Sequence, residues 1–308
     1  MVRKSIYALL LVLLVLTGCQ NTSGPRFEGE VHTLAGLLVA GKPIGLEYPV
    51  YVTRSSAIND FNPLEIFVWN AEITVWDLDS GLEFELTPAL HDFKFKYIDT
   101  AENIIQPEHR YRIEVRIPGF DKLISAETTV PPCINAEPDP YNANPPGVGW
   151  SLDPNTENQV RFSRIDSDFP AIANTGIHSG NMYLLSEIYC LEDFSTDLEY
   201  TSQMLENQNP PPEMEEVYNA GRPPRRINIM YRFNSAPLPG LPDNYIVLNN
   251  YSAAFFFYGR YRVRMRIVDV NYFNYNFMEE GYLHGGVSNA LGYFGSASSS
   301  DMFGRVVK

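Results

Sequence analysis

Cysteine is scarce. Three in 308 residues are too few for a disulfide-dense scaffold. Positive charge is short as well: 23 Lys and Arg stand against 37 Asp and Glu, for a formal net charge of −14. Nothing here neutralises a run of phosphates, which excludes general nucleic-acid binding. Past residue 18 no apolar stretch is long enough to cross a membrane. The five histidines, His32, His91, His109, His178 and His284, are scattered. There is no G-x-S-x-G, no H-E-x-x-H, no phosphate-cradling glycine loop and no Cys/His metal spacing. No catalytic residue, metal or cofactor is therefore assigned, and the chain is expected not to be an enzyme. What is plentiful is apolar and aromatic: 44% and 13%, with 19 Tyr and 18 Phe. That excludes a disordered chain and provides for a sizeable core.

Residues 1–18 read as an export signal. Arg3 and Lys4 form a basic start, and residues 6–16 an apolar run too short for a comfortable span. The run closes on Leu16-Thr17-Gly18-Cys19, which resembles the bacterial lipobox. In that resemblance Cys19 is lipidated and becomes the mature N-terminus, and residues 19–26 are a flexible tether. Several acyl tails at about 0.8 kcal/mol per buried methylene anchor a protein stably on a membrane. Gln20, rather than Asp, follows the cysteine, which favours the outer membrane under the sorting rule of enteric bacteria. The periplasmic and the cell-surface side both remain open. Export permits a disulfide between Cys133 and Cys190; two separate buried thiols are the other reading.

The rest is expected to be all-β. In residues 27–132, alternation marks strands at 48–54, 71–75, 82–86, 110–117 and 124–130, with Asp79-Ser80-Gly81 as a hairpin turn. Seven or so short strands in about a hundred residues suggest an immunoglobulin-like β-sandwich. Pro131-Pro132 ends it, and residues 133–308 form a second β-rich region. There, strands are expected at 159–165, 182–190, 227–233, 245–248, 253–258 and 261–268. Thr196 and Glu199 suggest a capping box opening a short helix to about 206, and residues 270–280 read as a helix closed by Gly281 or as another strand.

Charge is unevenly placed. Residues 217–308 hold ten bases against five acids, while residues 133–216 hold two against fifteen. Arg262, Arg264 and Arg266 share one face of a strand, with Val263, Met265 and Ile267 on the other. They make either a guanidinium stripe for a carboxylate or phosphate of a ligand or partner, or a solvated or edge face that meets the acidic middle segment. Tyr272, Phe273, Tyr275 and Phe277 are either a stacking surface or packing. The acidic run 192–216 lacks calcium-loop spacing and reads as a solvated loop. Asp77 and Asp79 flank a turn, where Asp is common. Ser179 beside His178 also reads as a turn.

Several segments together resemble a family of Bacteroidota lipoproteins known as domain of unknown function 4249. They are the strand at 31–39 followed by Gly41-Lys42-Pro43, and then Val50-Tyr51-Val52-Thr53-Arg54-Ser55-Ser56. They continue with Asn70-Ala71-Glu72-Ile73, Pro107-Glu108-His109-Arg110-Tyr111, and Ala126-Glu127-Thr128-Thr129-Val130-Pro131. The last is Asn289-Ala290-Leu291-Gly292-Tyr293-Phe294-Gly295, whose glycines suit a close backbone approach and whose Phe294 is expected to plug the core. Glu108 stands where the family usually has Gly. The resemblance implies an envelope lipoprotein with an immunoglobulin-like first domain, an accessory part of an assembly with a TonB-dependent receptor; with Gln20 and the absent motifs, the expectation is a non-enzymatic, partner-binding outer-membrane lipoprotein. A glycan- or peptide-binding surface lipoprotein is the alternative. The family offers no catalytic residues to carry over.

Overall fold

The computed structural model describes residues 30–56, 62, 64–139, 141–177, 183–193, 198–208, 228–233, 244–248 and 250–308. The signal segment, Cys19 and its tether, His178, Ser179 and Thr196 lie outside them. Among the described residues the chain is mainly β. The first half holds β1 (His32–Val39), β2 (Tyr51–Arg54), β3 (Glu72–Asp77), β4 (Glu83–His91), β5 (Lys94–Ile98), β6 (Arg110–Arg116) and β7 (Ile124–Thr129). Then come β8 (Asn135–Ala136), β9 (Gln159–Arg161), β10 (Ala171–Asn174), β11 (Tyr183–Cys190), β12 (Asn228–Phe233) and β13 (Tyr245–Leu248). The last are β14 (Gly259–Val268), β15 (Val287–Ser288) and β16 (Leu291–Val307).

The strands make three sheets. One has the order β15-β7-β6-β3-β4-β5, and a second, small one β13-β10-β8. The third runs β12-β11-β14-β16-β1-β2, with β9 also paired to β16. Leu34, Val52, Val75, Phe84, Ile113, Ile124 and their neighbours from the first and third sheets meet in one core. Tyr111 pins this core at the start of β6. Its hydroxyl accepts from the Gln106 backbone N–H at 2.8 Å. Burial pushes the phenol up to about 12. A second core gathers residues after 133 around Trp150, Phe255, Tyr261, Val263 and Met302.

The β16 strand joins these bodies. Its first half pairs with β1 in parallel, its second half with β14, and its last residues with β9. Phe294 is fully buried in the first core, and Met302 and Val306 in the second. The sequence reading missed this strand because residues 296–300 are Ser-Ala-Ser-Ser-Ser, with no apolar alternation. Those serines have a different task. Ser296 Oγ donates to the Thr129 carbonyl, and Ser298 and Ser300 accept from the backbone N–H groups of Ile134 and Ala136. They hold the chain as it crosses from the first region to the second around Pro131-Pro132.

Other expectations shift. The strand expected at 82–86 begins at Glu83, leaving Leu82 exposed and burying Phe84 and Leu86. β9 stops at Arg161, where its ladder with β16 ends, and a 3-10 turn follows. Residues 253–258 are not a strand: Asp166 accepts from the N–H groups of Tyr251 and Ser252 and fixes a 3-10 turn there. The expected helix is present at Val270–Phe277, capped by Asp269, which accepts from Tyr272 N–H at 3.0 Å.

Candidate functional site

Alternation in β14 sends Val263, Met265 and Ile267 into the second core and the three arginines outward. The stripe is neither an edge nor a solvated face. β14 lies between β11 and β16, and their outward residues answer it. Arg264 grips Asp301 with two bonds, Nε–Oδ1 at 2.7 Å and Nη2–Oδ2 at 2.9 Å, and donates to the Tyr48 hydroxyl at 3.2 Å. This grip raises its pKa further. Arg266 reaches Glu187 at 2.9 Å, with both side chains almost wholly buried (6% and 4% exposed). Glu187 also accepts from Tyr189, whose pKa burial and that carboxylate raise to about 12. Arg262 lies over the Tyr189 ring, 4.3 Å from its centroid. Two of the three guanidiniums are thus neutralised by this chain's own carboxylates, and an outside anion has to displace them. Removing one partner of a buried pair costs about 3–5 kcal/mol, because the other charge is stranded.

Tyrosines border the same face. Ala35 of β1 stands opposite Tyr51 on β2 and Tyr293 on β16, so the two phenols flank a single methyl group. Tyr293 meets Tyr272 edge-on at 5.6 Å and Tyr275 at 4.7 Å. Tyr272 lies beside Arg266, and burial raises its pKa against that positive charge. Burial and the neighbouring phenols push Tyr293 up to about 12. The aromatic series of the helix therefore divides. Phe273 packs on Tyr183 at 4.2 Å in a small core cluster with Tyr272 and Phe277 against it, while Tyr272 and Tyr275 also meet Tyr293.

A second feature gave no signal in the sequence. β4 and β5 are joined by the two-residue turn Asp92-Phe93, with His91 paired to Lys94. Both turn residues have positive φ, 53° and 57°. This geometry favours Asn-Gly, and a bulky aromatic in it is an outlier. Phe93 is 83% exposed and Leu90 across the hairpin 62%. The base is stiffened: His91 Nδ1 lies 2.7 Å from Asp92 Oδ2 and 3.0 Å from Lys96 Nζ.

The remaining candidates have structural duties. Asp77 is buried and accepts from the N–H groups of Asp79 and Ser80, while His109 Nδ1 lies 2.8 Å from its other oxygen. Asp79 is held by Arg110. Cys133 and Cys190 are both free, the first exposed and the second buried, so the bridge that export permits is not formed. In the acidic run, Glu192 faces Arg260 and Arg305, and Glu199 pairs with Lys308. Glu192, Glu199, Arg305 and Lys308 line an open cleft of about 480 Å³. Gly292 and Gly295 let β16 approach Leu34 and Asp269, as the close-approach reading of that motif expected.

The fold and face define a mainly β protein whose outward face pairs Arg264 with Asp301 and Arg266 with Glu187 and is bordered by tyrosines. The chain belongs to a family: the domain of unknown function DUF4249 matches it over residues 36–301. A search of curated proteins finds no match.

Proposed function

We propose that this chain is a non-enzymatic lipoprotein, acylated at Cys19 and anchored in the outer membrane, that binds a partner protein of the envelope. A TonB-dependent receptor is the partner expected. The observation that carries this reading is the β4–β5 hairpin. It exposes Phe93 and Leu90 on a stiffened base, in a backbone geometry that glycine would occupy with less strain. Strain and apolar exposure kept together at a tip suit a preorganised anchor for an apolar pocket. Phe93→Gly separates binding from folding. It relieves left-handed strain of about 1 kcal/mol, so stability holds or rises, while the recovery of a co-purified receptor from native membranes falls at least about tenfold. Recovery of the wild-type protein with no receptor-type barrel overturns the reading. A second reading, a glycan- or peptide-binding surface lipoprotein, is supported by the phenols of the outward face.

A further inference from the structure

The outward face offers hydrogen-bonding groups that the protein itself does not use. Among the described residues the hydroxyls of Tyr51, Tyr275 and Tyr293 have no hydrogen-bond partner, although all three side chains are half-buried. The Arg266 Nε is buried and unpartnered as well. Burial without an acceptor is unfavourable for Arg266 Nε, while the three phenol hydroxyls stay open to solvent and to a ligand that brings hydrogen-bonding groups. Next to these phenols Arg264 is balanced by Asp301 and Arg266 by Glu187, while Arg262, further along β14, lies over the Tyr189 ring. The face therefore gains little from an anion and much from a ligand with many hydroxyls and an apolar C–H face. The Tyr51 and Tyr293 rings, standing on either side of Ala35, provide the aromatic walls.

We infer that the face formed by Tyr51, Ala35, Tyr293, Tyr275 and Tyr272 beside Arg266 is a binding site for a neutral saccharide. The inference rests on the second reading above and names its ligand class. It also replaces the expectation of an anionic ligand on the arginine stripe. A triple alanine change of the arginines is a poor test, since it strands Glu187 and Asp301. Tyrosine to phenylalanine changes keep the rings and remove only the hydroxyls.

The test is calorimetric titration of the full-length protein in detergent with neutral gluco-, manno-, xylo- and galacto-oligosaccharides, and with oligogalacturonate as the anionic control. At least one neutral series is expected to bind. Its affinity is expected to stay constant between about 0.05 and 0.5 M salt. Tyr51→Phe with Tyr293→Phe is expected to weaken it about tenfold or more at an unchanged melting temperature. The proposal is overturned if no neutral series binds, if the double variant binds like the wild type, or if oligogalacturonate alone binds and is released by salt. The double variant leaves the Phe93 hairpin intact, so receptor co-purification is scored separately and the two readings fail independently.

Discussion

At the scale of single residues, Asp77 shows how a carboxylate is held for structure. Burial alone raises its pKa, but the hydrogen bonds from His109, Ser80 and Asp79 together outweigh burial and hold it below its ordinary value. A depressed acid stabilises the fold above its unfolded pKa, near 4, and loses that contribution as the pH falls through the folded value. Asp77→Asn is a neutral stand-in for the protonated form. It is expected to lower stability at pH 7 by about 1–2 kcal/mol. The gap to wild type should then shrink as the pH drops below about 4. Urea unfolding of both proteins across that range checks it, and a gap that stays constant with pH shows that the charge of Asp77 contributes nothing.

At the scale of elements, β16 carries the sharpest steric demand. Gly292 has φ +106°, and a Cβ there falls 1.9 Å from the Leu34 carbonyl oxygen. Gly119 also has positive φ, +85°, but has nothing within 4 Å of its Cβ position. Gly119→Ala should therefore cost only backbone strain, about 1 kcal/mol. Gly292→Ala must in addition push β1 from β16, and is expected to cost about 3 kcal/mol or more. Thermal melts of the two variants rank them, and equal losses refute the steric account. This pair also marks what sequence could disclose. β14 was legible because alternation is local, and the helix Val270–Phe277 was suggested by the local Gly281, although its Asp269 cap went unread. The serines of β16 were not legible, because they answer backbone groups of residues 129–136, far away in the chain. The arginine stripe was legible as a stripe meeting the acidic middle segment, as Arg266 does at Glu187, but not as the pair with Asp301, which lies 37 positions from Arg264. The Asp92-Phe93 turn has no glycine to announce it.

At the scale of the whole molecule, residues His32–Lys308 form one compact unit, yet their buried side chains gather mainly in two cores. The boundary expected at residue 132 falls between those cores, while β16 contributes to both and its serines grip the crossing segment. If that coupling is strong, a cavity cut into the first core must destabilise the second. Ile113 is fully buried in the first, and Ile113→Ala is expected to cost about 2–5 kcal/mol. Trp150 reports on the second, where its ring stacks on Phe255 at 5.9 Å and its Nε1 donates to the Phe169 carbonyl at 2.9 Å. With Trp69 and Trp76 changed to Phe, Trp150 is the sole source of tryptophan emission. In that background Ile113→Ala should move the Trp150 unfolding midpoint as far as it moves the circular-dichroism midpoint, in a single transition. A Trp150 transition that stays in place while an earlier phase appears means that β16 tethers two independent domains without coupling them. The Phe93 hairpin and the phenol face would then answer to different stabilities, because the hairpin belongs wholly to the first region while Tyr272 and Tyr275 come from the second.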